Sequence, residues 1–177
     1  MTYTRQILVE ALTSYTTSFA EEKNFVQQFL DLLTHDRAFH RDHLPGHITG
    51  SAFITDSSRS SILLTHHAKL DKWLQPGGHA DGDEDILGVA LREAEEETGL
   101  KKFKLLDKYI FDLDIHTIPA RKDFPEHLHY DVRFLFEADQ QEKLLITEES
   151  IDLKWFPIQE VSAYTSNASI DRMLKKL

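Results

Sequence analysis

The chain has 177 residues, of which 30 are acidic and 20 are basic, so its formal charge at pH 7 is -10. This length is typical of a single domain, and 41% hydrophobic residues suffice for a globular core. The negative charge repels nucleic-acid backbones and anionic lipids, so nucleic acid is not an expected partner. The absence of cysteine excludes disulfides and thiolate chemistry and agrees with a reducing compartment, so a cytoplasmic location is expected.

The first residues do not have the pattern of a signal peptide. They carry Glu10 and amphipathic spacing where a signal peptide has a basic stretch followed by an apolar run. No apolar run approaches the roughly 20 residues that are needed to cross a bilayer. We therefore expect no membrane partner.

The N-terminal quarter is predicted to be helical. Apolar residues recur at a spacing of three to four over residues 5–15 and 21–33, which indicates two amphipathic helices. A loop rich in His, Asp, Pro and Gly follows over residues 40–50. We expect residues 1–43 to form a helical hairpin that packs on a main body of residues 44–177.

The main body alternates predicted strands with a few helices. SAFITD and SILLTHH flank a turn-like DSSR sequence and predict a β-hairpin, and DKWLQ predicts a third strand. A glycine loop then leads into a helix over residues 83–98, with Gly99 as its C-cap. Further strands are predicted over residues 104–118, 127–138 and 150–158, and a last helix over residues 167–177. This order favours an α+β fold in which helices cover a sheet.

The helix over residues 83–98 carries an unusual arrangement of charge. Its apolar residues occupy one arc, whereas Glu93, Glu96 and Glu97 share an adjoining arc. Three carboxylates at these spacings repel one another, at a cost of roughly a few tenths of a kcal/mol per pair. A bound cation would offset this repulsion, and oxygen ligands favour Mg²⁺, with Mn²⁺ as a substitute. An acidic, solvated helix face is the alternative interpretation.

A metal at this position indicates hydrolysis of a phosphoryl or pyrophosphoryl group. Mg²⁺ that is held by a few carboxylates keeps open positions for water and for a substrate phosphate. Arg92 lies beside the carboxylates and is expected to orient one of them through a bidentate pair. Gly77 and Gly78 would let the backbone approach metal or phosphate closely.

Residues 78–100 resemble the signature of the Nudix hydrolases. That signature is a glycine, five residues, Glu, seven residues, Arg-Glu, an aliphatic residue, any residue, Glu-Glu, any residue, Gly and an aliphatic residue. Ala94 is smaller than the usual aliphatic residue at its position, but every other fixed position is matched. The matching residues are Gly78, Glu84, Arg92, Glu93, Glu96, Glu97, Gly99 and Leu100.

The resemblance implies a Nudix fold, which is a mixed β-sheet sandwiched between helices. It also implies the cleavage of a nucleoside diphosphate that is linked to another moiety, by water that a glutamate and a metal activate. Arg92 would align the glutamates, Glu84 would be a metal-associated or supporting carboxylate, and the signature does not decide which glutamate is the base. The metal ligands implied by position are Gly77, through its carbonyl, Glu93, Glu96 and Glu97, and the implied catalytic residues are Glu84, Arg92, Glu96 and Glu97.

The likeness extends over roughly residues 44–157 to a recurrent Nudix subgroup that is described only as hydrolases. The sequence marks of NADH-cleaving and ADP-ribose-cleaving members are absent. The isopentenyl diphosphate isomerases, which share the fold, rely on a cysteine that this chain lacks. The resemblance therefore supports the fold and the class of enzyme but names no substrate.

The predicted strand over residues 127–138 has one polar face. His127, His129, Asp131 and Arg133 alternate along it and therefore share that face. If this face points toward the acidic helix, His129 and Asp131 would contact the substrate or an additional metal, since neutral histidine is a common transition-metal ligand. Surface histidines or hydrogen-bonded core histidines are the alternative.

Other candidate substrate contacts are scattered along the chain. Arg121 and Lys122 lie in a predicted loop, where they would either meet substrate phosphates or stay solvated. Trp73 precedes the glycine loop and would either stack on a base or belong to the core. Glu148 and Glu149 are candidates for a general base outside the helix.

The leading hypothesis is a Mg²⁺-dependent pyrophosphohydrolase that acts on a small nucleotide, such as a nucleotide sugar, a dinucleotide or a nucleoside triphosphate. The alternative is a Nudix module that senses nucleotide without cleaving it, although a sensor does not need the carboxylate cluster. Cleavage of capped RNA is a third hypothesis, against which the charge of -10 counts. A homodimer is a family expectation.

Overall fold

The computed structural model describes residues 2–122, 124–148 and 150–177, and a mixed β-sheet runs through them. The helices are α1 (Arg5–Thr13), α2 (Ala20–Leu32), α3 (Ile86–Thr98) and α4 (Ala168–Leu174), with a 3-10 helix at Ile158–Ala163. The strands are β1 (Gly46–Thr55), β2 (Ser61–His67), β3 (Lys72–Leu74), β4 (Gly77–His79), β5 (Lys104–Leu105), β6 (Asp112–Ile118), β7 (His127–Glu137) and β8 (Ser150–Pro157).

Strand β1 lies at the centre of the sheet. It pairs in parallel with β7 along its whole length, from Gly46 opposite Leu128 to Thr55 opposite Glu137. On its other edge it pairs antiparallel with β4 and, at its end, with β2. β7 pairs antiparallel with β5 and β6, and β2 pairs antiparallel with β3 and β8. The sheet is therefore mixed, and the predicted α+β fold class is confirmed.

Helices cover both faces of the sheet, as predicted. On one face, α1, α2 and α3 bury a hydrophobic core that includes Leu8, Phe29, Ile48, Val89 and Val132. On the other face, α4 and the 3-10 helix bury a second core that includes Phe53, Ile62, Phe156, Val161 and Ile170. No helix among the described residues is long and apolar enough to cross a membrane.

The N-terminal hairpin packs on the sheet. The ring of Tyr3 meets Phe134 of β7 edge-on at 5.2 Å, and Phe29 of α2 meets Tyr130 of β7 at 5.3 Å. The backbone N–H of Tyr3 donates a hydrogen bond of 2.6 Å to the carboxylate of Asp85, next to α3. Residues of the segment 1–43 thus contribute to the same core as residues of the main body.

Several element boundaries differ from the sequence prediction. β1 begins at Gly46, inside the predicted loop, because pairing with β7 extends the strand. α3 begins at Ile86 because the carboxylate of Asp85 caps it by accepting from the N–H of Gly88. The strand predicted over residues 104–118 is interrupted by a turn in which Asp107 accepts from the N–H of Tyr109. Gly99 has a φ of 76° and ends α3, as predicted.

Buried ionic contacts connect the chain termini to the sheet. Asp112 of β6 accepts hydrogen bonds from Arg172 of α4 at 2.8 Å and 2.9 Å and from Arg133 of β7 at 3.1 Å. Glu22 of α2 accepts from the backbone N–H of Leu113 at 3.1 Å. Arg172, Asp112 and Glu22 are almost completely buried. Since buried charges are costly unless they are paired, this network is expected to require every member.

We predict that Arg172→Met lowers the free energy of unfolding by about 3–5 kcal/mol, because it leaves the buried carboxylate of Asp112 without a main partner. Urea denaturation would measure the change. The matched control is Arg37→Met, which removes an exposed pair with Asp42 and should cost less than about 1 kcal/mol. Equal effects of the two substitutions would contradict this account of the network.

Candidate active site

A cleft of about 1170 Å³ opens between the polar face of the sheet and the acidic side of α3. Its floor comes from β1 and β7, and one wall comes from β4 and α3. The cleft collects most of the residues that the sequence singles out. Those that line it are Gly77, Gly78, Arg92, Glu93, Glu96, Glu97, Arg121, His129 and Asp131.

The three glutamates of α3 lie together on one wall. Glu97 is 8% exposed and accepts a hydrogen bond of 2.8 Å from the backbone N–H of Gly77. Glu93 accepts at 3.0 Å from Arg92, which also donates at 3.1 Å to the carbonyl of His79. Glu96 is exposed to the cleft. Two carboxylates are therefore held by neighbouring groups, and the third faces solvent.

Gly78 makes the close approach of β4 to α3 feasible. A Cβ atom at this position would collide with the carboxylate of Glu93. A Cβ atom at Gly77 would collide with the hydroxyl of Ser51 in β1. The glycine pair thus lets a carboxylate from the helix and a hydroxyl from the sheet approach the two sides of the same short strand.

Glu84 and Trp73 do not line the cleft. Glu84 accepts a hydrogen bond of 2.9 Å from Arg5 and so connects α1 to the segment before α3. The two roles expected for Glu84, a metal-associated or a supporting carboxylate, stay predictions. Trp73 stacks on His66 with ring centroids 4.9 Å apart and meets Phe156 edge-on at 4.8 Å. Its contacts agree with the core alternative rather than with base stacking.

Asp131 lies in the floor of the cleft and is 2% exposed. One of its oxygens accepts from Ser51 at 2.7 Å and from Thr49 at 3.1 Å, and the other accepts from Arg133 at 2.7 Å. The carboxylate is therefore occupied by contacts within the protein. These contacts fit a residue that organises the floor better than one that binds substrate directly.

The polar face predicted for β7 points into the cleft and is completed by two neighbouring strands. The register places His47 of β1 opposite His129, and His129 opposite His116 of β6. His127 and His79 of β4 adjoin the same group, with ring centroids 5.1 Å and 5.2 Å from that of His47. Five histidines thus converge, and all but His47 line the cleft.

Sequence reasoning missed His47 and its neighbours on β1. The sequence prediction places residues 40–50 in a loop and starts the strand at Ser51, although His47 and Thr49 continue the alternation of Ser51 with the apolar Ile48 and the small Gly50. This period of two was the signal for a strand with one polar face. In the structure Thr49 and Ser51 line the cleft, and the ring of His47 lies 4.9 Å from that of His129, which also lines it.

Burial keeps several of these histidines neutral. It lowers the pKa of His47 to about 4 and that of His79 to about 4. Burial lowers the pKa of His129 further, to about 2, and the neighbouring histidines contribute to the same direction. At pH 7 these rings therefore offer neutral imidazole nitrogens rather than positive charges.

Several cationic side chains line the cleft, and one of them is Arg121. Arg41, which forms an ion pair with Asp81, and the exposed Lys69 also line the cleft. Lys122 is not among the lining residues. Glu148 is exposed and outside the lining, and Glu149 lies outside the described residues.

The same architecture occurs in solved hydrolase structures. An Ap4A hydrolase from C. elegans, in a binary complex, superposes with a TM-score of 0.58 at 18% sequence identity, over 73% of this chain and 93% of that one. This likeness concerns the fold. The family model described as the NUDIX domain matches residues 46–177. The chain therefore belongs to the Nudix family, as the motif predicted.

Two curated relatives are hydrolases by name. A probable DHNTP pyrophosphohydrolase from Lactococcus lactis is 33% identical over 84 residues, which are 46% of this chain and 49% of the relative. An asymmetrical bis(5'-nucleosyl)-tetraphosphatase from Rattus norvegicus is 28% identical over 100 residues, which are 56% of this chain and 65% of the relative. The match thus spans about half the length of the bacterial relative. These names agree with the predicted enzyme class, a Nudix hydrolase.

We predict that Gly78→Ala weakens the binding of Mn²⁺ by at least about tenfold without unfolding the protein. The added methyl group would displace the carboxylate of Glu93, a predicted metal ligand at the flexible end of its side chain, and disturbing the groups that orient a ligand typically costs about 10–100-fold in metal affinity. Electron paramagnetic resonance of free Mn²⁺ would measure affinity, and urea denaturation would monitor the fold. Unchanged affinity in the folded variant would exclude Glu93 as a ligand.

Proposed function

We propose that the protein is a divalent-metal-dependent pyrophosphohydrolase that cleaves a phosphoanhydride bond in a small nucleotide. The observation that carries this proposal is the convergence of Glu93, Glu96 and Glu97 on one wall of a cleft. The cleft is large enough for a nucleotide and a second group, since small-molecule sites are usually about 300–1,000 Å³ in volume.

The donor set on this wall suits a hard cation. Glu93, Glu96 and Glu97 offer carboxylate oxygens beside Gly77, whose carbonyl is the further ligand that we propose. Oxygen-only ligands favour Mg²⁺, with Mn²⁺ as a substitute, over softer metals. Such an ion, when bound, would polarise a phosphoryl oxygen and lower the pKa of a water molecule.

The side chains of this wall have different proposed roles in orienting the metal ligands and in accepting a proton. Arg92 holds the carboxylate of Glu93, and the N–H of Gly77 holds that of Glu97, so that these two oxygen donors are oriented in advance. We propose that Glu96 or Glu97 is the general base, which accepts a proton from the attacking water. For Glu84 we propose a supporting role, because its carboxylate is engaged by Arg5.

The charge distribution favours a small anionic substrate. The cleft is lined by the glutamates of α3 and also by Arg121 and Lys69, so a nucleotide with its metal would contact both kinds of charge. The overall charge of -10 opposes a long RNA. The names of the two relatives, a pyrophosphohydrolase and a tetraphosphatase, support a substrate with linked phosphates. Location in the cytoplasm and homodimer formation stay predictions from the sequence.

We predict that Glu96→Gln and Glu97→Gln each reduce metal-dependent turnover by about 10²–10⁴-fold, because the base or a metal ligand is lost. The matched control is Glu95→Gln on the same helix. Glu95 lies outside the cleft and pairs with Lys101 at 3.3 Å, so turnover should stay unchanged. Retained turnover in both cleft variants would contradict the proposal that the glutamates of α3 carry out metal-dependent hydrolysis.

A release assay across nucleotide sugars, dinucleotides, nucleoside triphosphates and coenzyme A would identify the substrate. It would measure phosphate or nucleoside monophosphate with Mg²⁺ and with Mn²⁺, and Glu97→Gln would serve as the blank. Nucleotide binding by calorimetry with no hydrolysis under either ion would favour the alternative, a sensing module without catalysis.

We predict that Arg121→Ala raises KM by about tenfold with little change in kcat. A hydrogen bond between charged groups contributes about 1.5–3 kcal/mol, and a loss at the low end of this range corresponds to about tenfold in affinity. Lys122→Ala is the matched control, since the neighbouring residue does not line the cleft. Equal KM values for the two variants would show that Arg121 does not contact the substrate.

A further inference from the structure

Five imidazoles meet in and beside the cleft. His47 comes from β1, His79 from β4, His116 from β6, and His127 and His129 from β7. Within this group, the ring centroids of His47 and His129 are 4.9 Å apart, and those of His127 and His129 are 5.2 Å apart. Nothing in the proposed hydrolysis requires so many imidazoles.

We infer that His47, His127 and His129 form a binding site for a divalent transition-metal ion of the Zn²⁺ type, distinct from the oxygen site on α3. Each of the three side chains offers a ring nitrogen, and these nitrogens all lie within 4.8 Å of one another. Imidazole ligands favour zinc and related ions, whereas Mg²⁺ favours oxygen. The two donor sets therefore select different metals.

The hydrogen bonds of the rings leave the other nitrogen available. Nδ1 of His127 lies 2.9 Å from the carbonyl of Pro125, and Nδ1 of His47 lies 3.4 Å from the carbonyl of His43. Because a carbonyl only accepts, each Nδ1 carries the proton, and each Nε2 therefore has a lone pair. A histidine that ligates a metal usually donates its other N–H to a carbonyl or a carboxylate in this way.

Two of these nitrogens are buried without a hydrogen-bond partner. Nε2 of His47 and Nε2 of His129 have no partner among the residues that the structure describes. His47 is 1% exposed, so its Nε2 is shielded from water. A buried polar atom without a partner costs free energy, and a metal ion would satisfy both atoms together.

The spacing requires a small contraction. In a tetrahedral zinc site the metal–nitrogen distance is roughly 2.0–2.1 Å, which puts two ligand nitrogens roughly 3.3 Å apart. The nitrogens of the three rings would therefore move toward one another on binding. Three protein nitrogens leave a fourth position, and since His127 and His129 line the cleft, that position would meet an oxygen of a bound nucleotide.

The site is tested by Zn²⁺ binding to the whole chain in excess Mg²⁺, which keeps the α3 carboxylates filled. Equilibrium dialysis with metal analysis should find one Zn²⁺ per chain. His127→Gln and His129→Gln should each weaken binding by at least about tenfold. The exposed His35 supplies the matched control, and His35→Gln should bind as the wild type does.

The glutamate wall is the competing location for zinc. Glu96→Gln should leave Zn²⁺ binding unchanged if the histidines hold the ion. Binding that Glu96→Gln abolishes and both histidine variants retain would overturn the proposal, as would the absence of Zn²⁺ binding by the wild type. Nitrogen-15 NMR of the wild-type histidine rings provides a second measurement, which does not depend on whether any variant folds. Zn²⁺ should shift Nε2 resonances of His47, His127 and His129, and unshifted resonances would also overturn the site.

Discussion

The parallel register between β1 and β7 is the constraint on which the cleft depends. It sets His47 opposite His129, Thr49 opposite Asp131 and Ser51 opposite Arg133, so that polar side chains from both strands form one continuous floor. A shift of one residue in either strand would turn that strand's polar face into the hydrophobic core beneath the helices. The apolar residues that alternate with them, such as Ile48 and Val132, are completely buried on the opposite face and oppose such a shift.

The charges in the floor connect the site to the rest of the fold. Arg133 donates to Asp131 at 2.7 Å within the cleft and to Asp114 at 3.0 Å on β6. Arg172 of the last helix shares Asp114 and Asp112 with it. Breaking one buried pair exposes its neighbours to an uncompensated charge, so the terminal helices and the site floor depend on the same contacts. Substitutions far from the cleft, in the last helix, can therefore disturb the floor of the cleft.

Local sequence patterns predicted which side chains share one face of a helix or of a strand. Helical periodicity placed Glu93, Glu96 and Glu97 on one face, and the alternation in β7 placed His129 and Asp131 on one face; the structure has both arrangements. Pairings between distant segments were not predictable in the same way. The contact of Glu84 with Arg5 joins residues that are 79 positions apart, and no local sequence pattern predicts it.

The histidine cluster also depends on pairing between distant segments, which local sequence patterns do not predict. Its members come from four strands, and only the sheet register brings His47 and His116 to either side of His129. The sequence predicts a loop over residues 40–50, which include the first half of β1, because this segment is rich in His, Asp, Pro and Gly. The strand forms nonetheless, since pairing with β7 and β4 satisfies its backbone on both edges.

The cleft separates two kinds of donor by secondary structure. The oxygen donors belong to a helix, whose spacing of three and four residues gathers carboxylates on one face. The nitrogen donors belong to strands, whose pairing gathers imidazoles across the sheet. Each set is held by its own contacts: Arg92 and the N–H of Gly77 orient the carboxylates, whereas the carbonyl of Pro125 orients an imidazole. The glutamates and the proposed zinc ligands His127 and His129 line the same cavity without sharing a side chain, so the two proposed metal sites can be altered independently.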